Sequence, residues 1–296
     1  MPQGQGALNS HDAQKTQGAQ KEECAGQVVW LLSANITSYG AKTQAFLGTR
    51  LVAEMPSVKA ILVCLQEVHR DRAFCDKEAG DLLRHGWRTT WNTGRPREDS
   101  AGCSPGSMIA ATKVHVDFSA ESLRGVIGDA LGATRWECED CSFVIAHFSS
   151  FYLLIINVYL TDTIRCTGAN IDKLAAIKKL IMLLNMPFIM VGDWNMEPPE
   201  LLQSGWVQEV GGTILVPQVP FTCSKASGAL LDFVVASAQA LHLIQSIEVD
   251  AAGTWRPHSG LRIALSGSPK DIRLLQLRKP RKLQIADCGA AAIAQA

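Results

Sequence analysis

The chain has no excess charge of either sign: 28 basic residues are matched by 28 acidic ones. Bulk electrostatics therefore predicts no polyanionic partner, and any nucleic-acid site must be built from local positive charge. A disulfide framework is also missing. The nine cysteines are odd in number and irregularly spaced, and the N-terminal MPQGQGALNSHDAQKTQGAQKEE has no apolar signal core. These absences predict free thiols in a reducing, intracellular setting, the nucleus included. Cys138 and Cys141 form a C-x-x-C pair, but no second pair and no His pair follows at zinc-like spacing. That argues against a zinc site and for plain thiols. There is no internal repeat. The run from Phe143 to Leu160 is long enough to raise a membrane span, but His147, Ser149, Ser150 and Asn157 interrupt it. Two adjacent buried strands account for it, and no membrane partner is expected.

What is present is a large apolar fraction, 47% of 296 residues, enough for a sizeable core in one large α/β domain or two small ones. Residues 1–26, rich in Gln, Gly, Ala and Lys, read as a disordered tail. Residues 27–266 carry the patterned body, and 267–296 form a basic, then Ala-rich, tail or linker. Within the body, strands are predicted at Val28–Ser33, Ile61–Leu65, Trp87–Trp91, Ser107–Ala111, Val114–Phe118, Phe143–Phe148, Phe151–Tyr159, Phe188–Val191 and Leu261–Leu265, and another opening at Leu231–Phe233. Helices are predicted at Lys42–Glu54, Phe74–His85 and Asp172–Leu184, with a short one near Leu201. The polar loop Asn92–Gly106 is a candidate for substrate contact. Residues 119–135 are too poorly patterned to assign.

The polar residues that close the apolar runs carry the chemistry. In FIMVGDWNMEP a buried strand meets Gly192 and then Asp193-Trp194-Asn195. Side chains alternate along an extended chain, so Asp193 and Asn195 project to one side, where an acid can take a proton from water and an amide can hold a phosphoryl oxygen. The bland alternative is a turn, which the same residues favour. In CLQEVH, Glu67 lies just past a buried strand and, two residues beyond Leu65, shares its side, a natural place for a cation such as Mg²⁺, although a solvated strand-end Glu reads the same way. Asp232, flanked by Leu231 and Phe233, needs a partner if buried. His258 precedes the last strand. Paired with an Asp at a phosphate site, it would be a proton donor or a charged clamp. Tyr159 closes a strand in INVYLTD and is, taken alone, an ordinary half-buried residue.

The order of these pieces is more specific than any one of them. SANITSYG, CLQEVH, INVYLTD, MVGDWNMEP, LLDFVVAS and PHSGLRIAL run in sequence from Val28 to Leu265, and in that order the chain resembles the endonuclease/exonuclease/phosphatase superfamily, most closely its apurinic-endonuclease-like branch in non-LTR retroelements. The resemblance implies an α/β (α+β) four-layer sandwich, two mixed β-sheets packed face to face with helices on both outer sides. It implies Mg²⁺, with Mn²⁺ as the alternative, held by Glu67 with help from Asn35. It further implies Asp193 acting on the attacking water, Asn195 and Tyr159 on the phosphoryl oxygens, and His258, oriented by Asp232, on the non-bridging oxygen. The substrate it implies is nucleic acid, DNA before RNA, cut by a metal-dependent phosphodiesterase that in retroelements is one domain of a longer reverse-transcriptase polyprotein. Two positions depart from the pattern: Pro257 stands where an Asp commonly precedes the last His, and Asp162 where Asn is common. A phosphatase or diesterase of the same fold, and a catalytically decayed binding domain, remain open readings at the sequence level.

Overall fold

The computed structural model describes residues 28–51, 60–97, 102–117, 138, 140–225, 227–250 and 255–270. Twelve strands among these residues form two six-stranded mixed sheets. The first sheet contains β1 (Val28–Asn35), β2 (Ala60–Gln66), β3 (Arg88–Asn92), β4 (Ser107–Thr112), β11 (Ile244–Asp250) and β12 (Gly260–Ser266), in the order β11-β12-β1-β2-β4-β3. The second contains β5 (His115–Asp117), β6 (Ser142–His147), β7 (Tyr152–Tyr159), β8 (Phe188–Asp193), β9 (Gly212–Leu215) and β10 (Asp232–Ser237), in the order β5-β6-β7-β8-β10-β9. Each sheet is built around one parallel pair, β1 with β2 and β7 with β8, flanked by antiparallel neighbours.

Three apolar layers show why the central strands read as unbroken hydrophobic runs: both faces of each are covered. Val29, Leu31, Leu62 and Cys64 meet Val144, Ile155, Val191 and Val234 between the sheets. The alternate residues Leu32, Val63 and Leu65 pack outward with Phe46, Leu47, Leu51 and Leu82. On the far side, Ile156, Met190 and Val235 pack with Leu174, Ile177 and Leu201. These outer layers carry α1 (Ala41–Ala45), α2 (Arg72–Arg84), α3 (Ala169–Leu184), α4 (Pro198–Gln203) and α5 (Trp206–Glu209), and a further turn of helix, α6 (Ala238–Leu241), follows β10. The result is the expected four-layer sandwich.

Local departures have local causes. The first helix widens after α1 into a π-helical turn, Phe46–Arg50, and residues 52–59, with the predicted end at Pro56, lie outside those described. Helix α2 starts two residues early because Asp71 caps it, accepting from the Phe74 N–H at 2.8 Å. Helix α3 ends at Asn185 in the left-handed conformation, a usual stop, before Pro187. The Phe143–Leu160 run is the antiparallel pair β6–β7, turning at Ser149-Ser150, and among the described residues no helix is long and apolar enough to cross a membrane. Strands β9 and β11 were not foreseen. The unassigned segment 119–135 and both predicted tails lie outside the described residues, except residues 267–270, which continue alongside β6.

Candidate active site

The carboxyl ends of the two parallel pairs come together at one edge of the sandwich. Asn35 closes β1, Glu67 follows β2, Tyr159 closes β7 and Asp193 closes β8. Parallel pairing sets Tyr159 beside Asp193, and antiparallel pairing sets Asp232, the first residue of β10, on the other side of Asp193. Gly192 makes this register possible. Its φ is +151°, and a Cβ there would lie 1.9 Å from the Val158 carbonyl oxygen, so only glycine lets β8 close on β7.

Asn35 ties the two sheets together at this edge. Its Nδ2 donates to Glu67 Oε1 at 2.9 Å and to Asp193 Oδ2 at 2.8 Å, while its Oδ1 accepts from the Thr37 N–H at 3.0 Å. Asp193 is fully buried, and its Oδ1 accepts from the Asn195 N–H at 3.0 Å. Asn195 Nδ2 donates to Leu160 O at 2.7 Å and to Asp193 Oδ2 at 3.2 Å. Asp193 and Asn195 do converge, but through a turn with Asn195 at φ +47° rather than by strand alternation. The turn reading and the functional reading hold together. Glu67 likewise leaves strand geometry, at φ +54°, so it does not continue the face of Leu65.

His258 is buried between two acids. Its Nδ1 donates to Asp232 Oδ2 at 2.9 Å, which fixes the ring, and its Nε2 lies 3.6 Å from Asp193 Oδ2. Burial pulls the imidazole pKa down, but the Asp232 hydrogen bond and the charges of Asp232, Asp193 and Glu67 outweigh it and raise it to about 9. Burial and the Asp232 charge raise Asp193 to about 7, against the pull of His258 and Asn35. Glu67 goes the other way: burial opposes ionisation, but hydrogen bonds from His69, Asn35 and Tyr159 hold it at about 2. Tyr159 is raised by burial and by the Glu67 charge, so its hydroxyl stays a donor at neutral pH. The edge therefore presents a carboxylate available to a cation, an acid poised near neutrality and an imidazolium.

The oxygen donors suit a divalent cation. Glu67 opens toward solvent and keeps carboxylate lone pairs free, and Asn35 Oδ1 has a second lone pair beyond its Thr37 bond. Asp193, Asp232 and His258 form a second set whose ligand atoms lie within 4.8 Å of one another. Magnesium ions need no more than one or two protein carboxylates.

No protein-family model and no curated protein matches this sequence. Solved structures do match the fold. The endonuclease domain of TRAS1, a telomere-specific non-LTR retrotransposon, is 15% identical with a TM-score of 0.55, over 80% of this chain and 98% of that one. The AP endonuclease LMAP of Leishmania major is 12% identical with a TM-score of 0.60, over 81% and 88%. The 3′ phosphatase NExo from Neisseria, bound to product DNA hairpin, is 17% identical with a TM-score of 0.53, over 80% and 98%. The chain has the endonuclease/exonuclease/phosphatase fold.

Within the endonuclease/exonuclease/phosphatase fold, the seven residues singled out from sequence, Asn35, Glu67, Tyr159, Asp193, Asn195, Asp232 and His258, gather at a single edge. Neither departure bonds to that group through its side chain. Asp162 is exposed and accepts from the Thr163 N–H at 2.7 Å. Pro257 offers only its carbonyl, which accepts from Ser224. Sequence reading missed the supports. Thr222 Oγ1 accepts from the N–H groups of Leu231 and Asp232 at 3.0 and 2.9 Å and so sets the start of β10. Buried Lys173 donates to Tyr159 O, Thr161 Oγ1 and Asp140 beneath the Tyr159 ring. Gln66 Nε2 donates to Asn157 Oδ1 at 2.6 Å across the sheets, just under the site. The signal available was a polar residue at an inward position of an apolar run, as at Asn157. The C-x-x-C pair is buried, with the Cys138 and Cys141 sulfurs near the Lys173 and Tyr159 carbonyls. The polar loop after β3 reaches the site through Cys103, whose carbonyl accepts from His69.

Proposed function

We propose that this chain is a metal-dependent phosphodiester hydrolase acting on nucleic acid, and specifically a DNA endonuclease of the retroelement type. The observation that carries the reading is the bridge from Glu67 through Asn35 to Asp193, with the Asp232–His258 pair behind it. A cation site and a base share one hydrogen-bonded bridge, and a fixed positive charge lies 3.6 Å from the base, as in-line phosphoryl chemistry requires. Glu67 and Asn35 would hold Mg²⁺ or Mn²⁺, and the ion would supply Lewis-acid neutralisation of the phosphate.

The chain's own groups divide the remaining work. Asp193, poised near neutrality, takes the proton from the attacking water. Asn195 exchanges its longer bond to Asp193 for a phosphoryl oxygen while its Leu160 bond keeps it in place. The Tyr159 hydroxyl donates to a second oxygen. His258, held by Asp232, presents Nε2–H to the non-bridging oxygen, where charge grows in the transition state. Arg97, on the loop after β3 and within electrostatic reach of His69, supplies local positive charge that the zero net charge does not. The likeness to a retrotransposon endonuclease domain supports DNA as substrate and a place in a longer reverse-transcriptase polyprotein. The intact acid–histidine unit argues against a decayed binding domain.

Supercoiled plasmid tests this directly. Nicking is expected with Mg²⁺ or Mn²⁺, is abolished by EDTA and falls by about 10²–10⁴-fold in Asp193→Ala, the range a general base contributes. Nicking that survives in Asp193→Ala would reject the site. A 3′-phosphorylated DNA hairpin is the second substrate, because the Neisseria enzyme with a matching fold is a 3′ phosphatase. Phosphate release without nicking would move the assignment to that activity.

A further inference from the structure

His69 has no role in the chemistry described above, yet its ring is placed as a metal ligand's is. Its Nδ1 donates to the Cys103 carbonyl at 2.9 Å, and its Nε2 faces Glu67 Oε2 at 3.4 Å. Imidazoles that bind metals almost always donate their other N–H to a carbonyl or carboxylate, which fixes the tautomer and leaves the second nitrogen's lone pair outward. Without an ion, Nε2–H donates only weakly to Glu67 across this 3.4 Å gap, and an ion would take that proton's place. The gap matches the separation of two donors on one ion, about 3.0–3.4 Å for bonds of about 2.1 Å at angles between octahedral and tetrahedral. Both side chains are about one-fifth exposed, 23% and 21%, so an ion can reach them from solvent.

The backbone is held for this pairing. Glu67 and His69 both lie in the left-handed region, at φ +54° and +50°, a conformation uncommon for non-glycine residues. Val68 between them is buried and pinned on both sides, its N–H to Gly106 O and its carbonyl to the Tyr39 N–H. Of the other donors nearby, Asn35 Oδ1 keeps one lone pair and Asp232 Oδ1 has no hydrogen-bond partner among the described residues, whereas Asp193 is already engaged. Both Asp193 oxygens already accept hydrogen bonds, from Asn35 and Asn195. Pro257 has no side-chain ligand atom.

We propose that Glu67 and His69 form a two-point chelate for the catalytic dication, and that the imidazole makes this site prefer a first-row transition ion of the Mn²⁺ class over Mg²⁺. The preference follows from ligand type, since Mg²⁺ takes oxygen donors whereas imidazole nitrogen suits transition metals. The inference rests on the hydrolase reading above and assigns it a further ligand.

The test loads the full chain with Mn²⁺ and reads ¹⁴N coupling to the bound ion by electron spin echo modulation, alongside Mn²⁺ and Mg²⁺ titrations. Wild type should show one imidazole coupling. His69→Gln should lose it, and bind Mn²⁺ at least about 10-fold more weakly, the lower end of the loss seen when even a supporting partner is removed. Its Mg²⁺ affinity should change far less. A His115→Gln/His147→Gln double variant should keep the coupling, which separates this site from the other histidine cluster. Coupling that survives in His69→Gln, or is absent from wild type while Glu67→Gln still abolishes Mn²⁺ binding, would overturn the His69 assignment and leave the hydrolase reading standing. Mn²⁺ binding unchanged in both Glu67→Gln and His69→Gln would overturn both.

Discussion

Two acid–histidine clusters stand at opposite ends of β7, and they shift His258 and His115 in opposite directions. At the carboxyl end, His258 lies between Asp193 and Asp232, all three buried. At the amino end, His115 and His147 share Asp117, with His147 Nε2 at 2.7 Å and His115 Nε2 at 3.6 Å from its oxygens. Pairing of Tyr152 with His147 and of Tyr159 with Asp193 puts them about 23 Å apart, seven residues at strand rise. The residue types match, but their ratio and company do not. His258 has two acids to itself, and its pKa rises to about 9. His115 is pushed below the usual value by burial and by His147, Arg88 and Lys270, against the pull of Asp117. The lower cluster is largely an aromatic stack, His147 edge-on to both His115 and Tyr152. A histidine–carboxylate contact is therefore not by itself a catalytic sign. The count of acids per imidazole, and the cations facing it, decide the charge.

The strongest way to break the comparison is to disturb one end only. Gly192→Ala forces a Cβ against the Val158 carbonyl at a positive φ. It should lower stability by about 4 kcal/mol in urea denaturation, the range of a special backbone position with a clash. The damage should be confined to the Asp193 end, with ring signals of His115 and His147 in NMR spectra unchanged. A cost below about 1 kcal/mol would mean that the β7–β8 register tolerates a side chain, and that Asp193 is not held as described.

Asp232→Asn removes one acid from His258 and should be the next largest effect. His258's folded pKa is raised, so its stabilisation is complete below about 6.5, its unfolded value. It fades as pH rises and is lost through about 9. The shift amounts to on the order of 3 kcal/mol. Melting curves should therefore separate wild type from the variant most near pH 6, with the gap closing between pH 7 and 9. If the proposed nicking is found, its alkaline limb is expected near 9 in wild type and should move toward neutrality in the variant. A gap that does not change with pH would mean that the pair is structural and His258 is uncharged.

The same contrast explains what was legible in the sequence. Central strands were readable because burial on both faces makes them continuous apolar runs, and their polar ends were readable because an Asp, Asn or Glu there has no packing reason to exist. Strand β9 has little burial and β11 is half-covered at the sheet edge, so neither carries that signature. The site was legible in chain order but not in geometry. Asn195 reaches Asp193 by a turn, and Glu67 leaves its strand at a positive φ, both of which break the alternation rule used to place them. Thr222, Gln66 and His69 were missed because their meaning lies in partners. Gln66 meets Asn157 across 91 residues, and His69 meets Cys103 across 34. No local pattern encodes such pairs.

Asp117→Asn is the smallest expected change, and it sharpens the comparison from the other side. Among the described residues Asp117 is the single acid serving His115 and His147, and Arg88 approaches His115 Nδ1 at 3.4 Å while Lys270 lies over the Tyr152 ring. Removing that acid leaves a partly buried cluster of imidazoles and cations. Its cost should be about 1 kcal/mol, the net worth of the one hydrogen bond lost to His147. Nicking by Asp117→Asn should stay within about twofold of wild type, since sites this far apart act independently. A loss of nicking as large as that of Asp232→Asn would make the lower cluster part of the active machinery. The acid-to-imidazole ratio would then no longer separate a working histidine from a stacked one.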